Sequence, residues 1–178
     1  MNLSRRLFLA MAAAMLMLTF TAQVAADGKR ASISDFTLKN LAGKKVSLSD
    51  LKGKVVVISF WATWCKPCLQ ELPYLWEFQE KYEDDGLVVL AISTDDASSL
   101  SSVESKAKKW KRTYKGYKKN VLLDQNSDVI AKLNPRGAQP YTIFVDRKGM
   151  STESHEGFEV AKVPEYEESI KKLLAEKP

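Results

Sequence analysis

Apolar residues recur along the chain in blocks whose spacing alternates between that of strands and that of helices. Strands are predicted by apolar runs at residues 54–60, 87–92, 121–123, 141–145 and 150–155. Helical spacing predicts helices over residues 67–82, 99–112, 128–133 and 164–175. Two short apolar patches within 36–48, separated by Asn40-Leu41-Ala42-Gly43-Lys44, predict a hairpin, and residues 27–32 read as a polar tail. This order predicts an α/β fold with a central mixed sheet flanked by helices.

The first 26 residues differ in kind from the rest. Arg5 and Arg6 precede an apolar run over residues 7–20, and Val24-Ala25-Ala26 has the small residues of a cleavage site. As a helix, that run spans about 21 Å, short of the ~30 Å hydrocarbon core of a bilayer. We therefore predict a signal peptide over 1–26 and a single domain over 27–178, with a membrane anchor as the alternative. Either the Sec or the twin-arginine route gives a periplasmic or other extracytoplasmic location.

Charge excludes one class of partner. The formal net charge is +5, and removing a leader that carries two arginines and no acids leaves +3, which is too mild to indicate nucleic acid binding. One segment, residues 106–119, is locally basic and contains Trp110, Tyr114 and Tyr117. It is either a docking surface for an acidic partner or anionic lipid, or a solvated helix whose aromatic residues pack inward. The second interpretation is the one we predict.

The chain has two cysteines, and both lie in Trp64-Cys65-Lys66-Pro67-Cys68, where a buried strand runs into a helix. At a helix N-terminus, unpaired N–H groups and the macrodipole favour a thiolate over a thiol, and Lys66 adds a positive charge. Pro67 suits the first helical turn. A low-pKa thiol with a second thiol one turn away can attack a disulfide and then resolve the mixed disulfide. The motif therefore predicts thiol redox chemistry.

Other roles for the cysteine pair are weakly supported. A disulfide closing a four-residue loop stabilises by only about 2 kcal/mol in the chain-entropy model, against about 4.7 kcal/mol for a 100-residue loop. A zinc site needs about four ligands, and the chain offers no further Cys and a single histidine, His155. A cysteine protease needs one Cys oriented by His and Asn or Asp. No metal or other cofactor is predicted.

With these segments in order, residues 34–175 resemble the thioredoxin superfamily, specifically the exported TlpA/ResA-like thiol–disulfide oxidoreductases. The resemblance rests on Phe60-Trp61-Ala62-Thr63-Trp64-Cys65-Lys66-Pro67-Cys68, Glu71-Leu72-Pro73, Gly86-Leu87-Val88-Val89, Leu122-Leu123-Asp124 and Gln139-Pro140-Tyr141-Thr142-Ile143-Phe144-Val145-Asp146. It implies a thioredoxin-like fold with an N-terminal hairpin and a central αβ insertion.

The resemblance also implies roles for individual residues. Cys65 is the exposed nucleophile and Cys68 the buried resolving thiol. Pro140 is a cis-proline that holds an extended backbone edge beside Cys65 for substrate pairing and keeps metal away from the thiols. The residues expected to line the substrate groove are Trp64, Lys66, Pro67 and Gln139. Trp61 and Trp64 are expected mainly to pack at the rim, and His155 to lie on the surface of a strand.

The chain departs from thioredoxin at Ser59, where thioredoxin has a buried Asp. Glu71 lies three residues after Cys68, on the same helical face, and matches the glutamate that TlpA/ResA-like proteins keep near their active site. If buried, its pKa rises and it can exchange a proton with Cys68; the alternative is an exposed helix glutamate. Replacing it with Gln is expected to change stability by less than about 1 kcal/mol, as for a residue outside a buried network.

The residues between the cysteines indicate the direction of electron flow. DsbA, a strong oxidant, has a His there, whereas this chain has Lys66 and Pro67, which should leave the dithiol a better reductant. The expected substrates are disulfides of exported proteins, such as apocytochrome c, and the resemblance implies recharging by a membrane thiol reductase. Contact with the membrane itself is expected only if the leader is uncleaved.

Two rival functions lack residues that they need. A peroxiredoxin-type peroxidase requires Pro at position 58 and Thr at position 62, where this chain has Ile58 and Ala62. A Sco-type copper chaperone uses C-x-x-x-C and a distant His, one residue more than the spacing of Cys65 and Cys68.

Overall fold

The computed structural model describes residues 30–177. The predicted signal peptide, residues 1–26, lies outside the described residues. The described strands are β1 Ala31–Ser32, β2 Thr37–Asn40, β3 Lys45–Ser47, β4 Val55–Trp61, β5 Leu87–Ser93, β6 Val121–Leu123, β7 Tyr141–Val145 and β8 Met150–Glu156. The α-helices of this part of the chain are α1 Lys66–Tyr82, α2 Leu100–Lys108, α3 Tyr117–Asn120, α4 Asp128–Leu133 and α5 Val163–Ala175.

All described strands form one mixed sheet in the order β1-β8-β7-β4-β5-β6-β2-β3. The central strands β4, β5 and β6 are parallel, while β7 is antiparallel to β4 and β8 is antiparallel to β7. This register places Ser59 of β4 opposite Thr142 of β7, and Thr142 opposite His155 of β8. The three residues form a row across neighbouring strands on one face of the sheet.

Both faces of the sheet are covered, which explains why β4 is apolar at nearly every position. On one face, Val55, Val57 and Trp61 join a core with residues of α1, α2 and α5. On the other face, Val56, Ile58 and Phe60 pack with residues of α4 and of the segment around the N-terminal hairpin. The α/β architecture and the mixed sheet are thus confirmed.

The predicted hairpin is confirmed, and its turn is held by the side chain of Asn40. The Oδ1 atom of Asn40 accepts hydrogen bonds from the backbone N–H groups of Ala42 and Lys44, both at about 3 Å. Gly43 has a φ of +78°, which suits glycine. The strands β2 and β3 therefore pair antiparallel from Lys39 opposite Lys45.

Two boundaries differ from the predictions. Ala31 and Ser32, predicted as part of a polar tail, pair antiparallel with Ser151 and Met150 at the edge of the sheet; this pairing uses backbone groups, so side-chain periodicity does not reveal it. The helix predicted over 99–112 is α2 followed by a 3₁₀ turn, Lys109–Arg112.

The basic segment has its aromatic residues turned inward, as predicted. Trp110, Tyr114 and Tyr117 are buried, and the Trp110 ring lies 4.9 Å from that of Trp61 between centroids. Five of its lysines surround a surface recess of about 760 Å³.

Among residues 30–177, no helix has the length and apolar character needed to cross a membrane.

Candidate active site

Cys65 and Cys68 form a disulfide at the N-terminus of α1. Cys65 is the N-cap residue with an extended backbone, and its Sγ accepts the N–H of Cys68 at 3.3 Å. Pro67 occupies the first turn, where its missing N–H costs no hydrogen bond. In the reduced protein the same N–H groups and the helix macrodipole stabilise a thiolate at Cys65.

The two sulfur atoms are unequally accessible, but the contrast is smaller than expected. Cys65 is 4% exposed and Cys68 is fully buried, so the structure corrects the expectation of an openly exposed nucleophile. The surface beside it is Trp64, which is 74% exposed. Trp64 therefore does not pack at the rim, whereas Trp61 does lie in the core. Lys66 is exposed and Pro67 half-buried.

The loop ahead of β7 carries Gln139 and Pro140, and the peptide bond between them is cis, as the resemblance implies. Gln139 Nε2 donates a hydrogen bond to Thr94 Oγ1 at 2.7 Å, and the Thr94 N–H donates to the Trp61 carbonyl at 3.0 Å. Since Tyr141 is paired with Phe60, this loop lies at the same sheet edge as the segment leading to Cys65. The role of Pro140 in substrate pairing stays a prediction.

Glu71 lies in the core and not on the helix surface. Its side chain is fully buried. Its carboxylate accepts hydrogen bonds from Ser59 Oγ at 2.7 Å, Thr142 Oγ1 at 2.8 Å and the Tyr166 hydroxyl at 3.3 Å. Burial raises the pKa of Glu71, and these three hydrogen bonds oppose the rise. The alternative of an exposed glutamate is wrong, as is the assumption that Glu71 stands outside a buried network.

Glu71 and Cys68 meet neighbouring residues of the same strand. Cys68 Sγ lies 3.9 Å from the Phe60 carbonyl oxygen, and Glu71 binds the side chain of Ser59. Ser59, the position at which the chain departs from thioredoxin, therefore donates a hydrogen bond to the buried carboxylate of Glu71. The arrangement places an acid with a raised pKa one helical turn from the resolving thiol.

Asp95 is a site residue that the sequence interpretation missed. It accepts hydrogen bonds from the Thr63 N–H at 3.0 Å, from Thr63 Oγ1 at 2.7 Å and from Ser93 Oγ at 2.9 Å. These contacts tie the loop before Cys65 to the end of β5. One signal was available: Asp95 follows a buried parallel strand, and the carboxyl ends of such strands are where α/β folds place functional groups.

A second group of residues that the sequence did not indicate forms a recess of about 290 Å³ beside α1. Of the predicted groove residues, Pro67 lines it. The other lining residues come from the segment after β8: Glu156, Gly157, Phe158, Glu159 and Lys162. This surface and exposed Trp64 lie around the N-terminus of α1.

His155 is not the surface residue that was expected. Its side chain is 22% exposed, and its ring lies 5.0 Å from that of Tyr166 and 5.6 Å from that of Phe144, between centroids. Its Nε2 lies 3.8 Å from Glu153 Oε2. His155 thus borders the buried group around Glu71.

Comparisons with known proteins agree with this geometry. The AhpC/TSA family model matches residues 29–152. The chain is 38% identical over 123 residues to the thioredoxin-like protein YneN of Bacillus subtilis, covering 69% of this chain and 68% of YneN. It is 34% identical over 119 residues to the thiol-disulfide oxidoreductase ResA of Bacillus anthracis, covering 67% of this chain and 64% of ResA. A solved structure from Chlorobium tepidum, described as a candidate thiol:disulfide interchange protein DsbE, is 30% identical with a TM-score of 0.69, covering 83% of this chain and 98% of the other.

Proposed function

We propose, from the premise that this chain belongs to the AhpC/TSA family of thioredoxin-like proteins, that it reduces disulfides of exported proteins outside the cytoplasm. It is a thiol–disulfide oxidoreductase similar to ResA and DsbE. The observation that carries the proposal is the Cys65–Cys68 pair at the N-terminus of α1, with the buried carboxyl of Glu71 one turn further along the helix.

The proposed reaction has two displacement steps. The Cys65 thiolate attacks a substrate disulfide, which releases one substrate thiolate and leaves Cys65 joined to the substrate. Cys68 then transfers its proton to the Glu71 carboxylate and attacks Cys65 Sγ. The bond between Cys65 and the substrate breaks, the second substrate thiolate leaves, and the Cys65–Cys68 disulfide forms. Two electrons pass from the dithiol to the substrate.

Glu71 is suited to the second step because Cys68 is fully buried and has no direct access to water. An acid with an ordinary pKa would hold a proton too weakly near neutral pH, whereas burial raises the pKa of Glu71 toward the range in which proton exchange is effective. We propose that Pro140 and Gln139 present a backbone edge to the substrate and that Trp64, Lys66 and Pro67 line the rest of the substrate groove.

The reducing direction is supported by the residues between the cysteines. Lys66 is exposed to solvent, so its charge is screened and lowers the pKa of a neighbouring thiol less than a His in that position would. A less stabilised thiolate is a better electron donor. The dithiol would be restored by a membrane thiol reductase, and exported disulfide proteins such as apocytochrome c are the proposed substrates.

Trapping tests both the activity and the class of substrate. In the Cys68→Ser variant the second displacement is blocked, so substrates should accumulate as mixed disulfides on Cys65 in the native cell envelope. Cys65→Ser is the matched control, since it keeps one thiol but loses the attacking one. Trapped exported proteins that are released by reductant support the proposal; equal capture by the two variants contradicts it.

Two simple assays address the rivals. The two positions at which the peroxidase signature requires Pro and Thr are held by Ile58, in the central strand β4, and by Ala62, directly after it, and both side chains are buried. We expect thiol-dependent reduction of insulin without matching consumption of peroxide, and no retention of copper by the reduced protein. For location, the full chain should yield an exported product that begins at Asp27; a product retained in the cytoplasm would contradict the predicted export.

A further inference from the structure

A fully buried carboxylate that exchanges protons needs a nearby positive charge or a route to solvent. The three groups that donate hydrogen bonds to Glu71 are the hydroxyls of Ser59, Thr142 and Tyr166, and none of them carries a charge that offsets the carboxylate. Solvent does not reach Glu71 from the side of the disulfide, since Cys68 is fully buried. The proposed reaction therefore leaves open what stabilises the ionised form of Glu71.

His155 is placed to supply that charge. It is paired across the sheet with Thr142, which itself donates to Glu71. Its ring lies against Tyr166, the third donor to Glu71, with 5.0 Å between ring centroids. A positive charge on His155 lowers the pKa of Glu71 and so opposes the effect of burial, although less than each of the three hydrogen bonds does. The chain contains no other histidine.

Other titratable and charged groups near His155 come from its own strand, from helices α5 and α1, and from the neighbouring strand β7. Its own strand contributes Glu153, whose pKa is held below its usual range chiefly by His155. Helix α5 contributes Tyr166, with Glu165 and exposed Lys172 further out. Helix α1 contributes Glu71, while Thr142 and Phe144 of β7 are uncharged. Of these groups, His155 is the one that can carry a positive charge and also contacts a hydrogen-bond donor of Glu71, namely Tyr166.

We propose that His155 is a positioning residue for disulfide exchange: its imidazolium, seated on the Tyr166 ring, stabilises the Glu71 carboxylate that accepts the proton of Cys68. This inference rests on the proposed role of Glu71.

The proton balance follows directly. Before resolution, the Glu71 carboxylate and the His155 imidazolium have no net charge together. When the Cys68 thiol gives its proton to Glu71, the Cys68 thiolate attacks Cys65 Sγ and the two residues together carry one positive charge. His155, whose side chain is 22% exposed, then releases one proton to solvent beside Glu153. The pair returns to zero net charge without solvent entering the disulfide side.

Two substitutions at position 155 separate charge from packing. His155→Phe keeps an aromatic ring on Tyr166 and removes the charge, whereas His155→Lys keeps a positive charge and removes the ring. We expect His155→Phe to slow reduction of a model disulfide at pH 7 by about 3- to 10-fold, at the low end of general acid–base effects. His155→Lys should stay within about 2-fold of the wild type, because the stabilising charge remains.

The rate of reduction of the model disulfide is measured from pH 5 to 9 for the wild type and for each variant. An His155→Phe profile that overlays the wild type, or equal slowing in both variants, overturns the inference. Glu71→Gln is measured alongside: if it has no effect on the rate, the proposed role of Glu71 has failed. If Glu71→Gln slows the reaction and His155→Phe does not, only the role of His155 has failed.

Discussion

Glu71 has no contact with solvent and binds hydroxyl groups from β4, β7 and α5. Its pKa is therefore set by the surroundings that the fold provides. Helix α1 supplies the carboxyl and the sheet supplies two of its three donors. Carboxylates in such surroundings are costly to ionise. This cost is the physical basis of the proposed proton exchange, and it also ties the stability of the protein to pH.

We predict that Glu71→Gln alters the pH dependence of stability. Since burial raises the pKa of Glu71, the folded protein binds this proton more tightly than the unfolded chain does. The resulting stabilisation is complete below the unfolded pKa of about 4.3 and is lost as the pH rises through the raised folded pKa. Glu71→Gln lacks this loss, so its free energy of unfolding relative to the wild type should increase over that window, with a limiting slope of about 1.4 kcal/mol per pH unit.

Urea unfolding of the oxidised proteins at several pH values between 4 and 8 measures the difference, and the intact disulfide keeps cysteine titration out of the comparison. The expectation from sequence, a change under about 1 kcal/mol for a residue outside a buried network, predicts parallel curves. Parallel curves would mean that Glu71 has the same proton affinity in the folded and unfolded states.

The two thiols of the reduced protein should react differently with an alkylating reagent. Cys65 benefits from the N-terminus of α1 and retains 4% exposure, whereas Cys68 is fully buried. We expect the alkylation rate of Cys65 to rise with a midpoint below the ~8.5 of a free cysteine, and that of Cys68 to rise above it and more slowly. The single variants Cys68→Ser and Cys65→Ser isolate each thiol; equal rates in both would refute the assignment of roles.

At the scale of elements, the site depends on how α1 is attached to the sheet. The loop between β4 and α1 is fastened by Asp95, which receives both the N–H and the hydroxyl of Thr63. The cis-proline loop is fastened to the same edge by Gln139 and Thr94. These two attachments fix the loop that precedes Cys65 and the loop that carries Pro140.

We predict that Asp95→Asn loosens the first attachment. One side-chain oxygen of Asp95 becomes an NH₂ group that can face the Thr63 N–H, so the free energy of unfolding should fall by about 1–3 kcal/mol, as for a buried donor left without its partner. Thr63→Val removes the hydroxyl alone. In a double-mutant cycle the two changes should be non-additive, because they remove the same contact; additive effects would show that Asp95 stabilises the fold through other partners.

Periodicity predicted the strands and helices well because the buried positions of each element must be apolar, and their spacing along the sequence reflects the geometry of the element. The run Val55-Val56-Val57-Ile58 faces helices on both sides of the sheet, and a continuous apolar run is the signature of that environment. The pairing of Ala31 with Ser151 uses backbone groups alone, so no side-chain pattern announces it.

From the residues alone, the candidate site was predicted only where local spacing defines it; the cis-proline Pro140 was implied by the resemblance. Cys65, Cys68 and Glu71 lie within seven residues on one helix, and their proximity follows from helical geometry. Thr142 and Tyr166, by contrast, reach Glu71 across sequence separations of 71 and 95 residues. Hydroxyl and aromatic residues at such distances look like ordinary core positions until the fold brings them together.

At the scale of the whole molecule, the direction of electron flow is a property of the fold. A thermodynamic cycle links the two quantities: the disulfide stabilises the folded protein to the extent that it is harder to reduce in the folded state than in the unfolded chain. For this two-electron couple, about 30 mV corresponds to about 1.4 kcal/mol. A dithiol that serves as a reductant should therefore be found in a protein that is more stable when oxidised.

Two contributions to the difference in stability between the oxidised and reduced proteins oppose each other. Closing a loop of four residues stabilises the oxidised form by about 2 kcal/mol in the chain-entropy model. The thiolate of reduced Cys65 gains about 0.3–1 kcal/mol from the helix macrodipole, which favours the reduced form. Lys66 is exposed and adds little through screened solvent. We therefore predict that the oxidised protein is the more stable by about 1 kcal/mol at pH 7.

Urea unfolding with and without reductant tests this prediction, and a Cys65→Ala/Cys68→Ala variant, which has no thiol to oxidise, reports any effect of the reductant itself. Lower stability of the reduced protein supports electron donation to substrates. If the reduced protein is instead the more stable, the folded protein stabilises its thiolate more than loop closure stabilises its disulfide. The Cys65–Cys68 disulfide would then accept electrons from its substrates, which contradicts the proposed direction while leaving the family and the thiol chemistry in place.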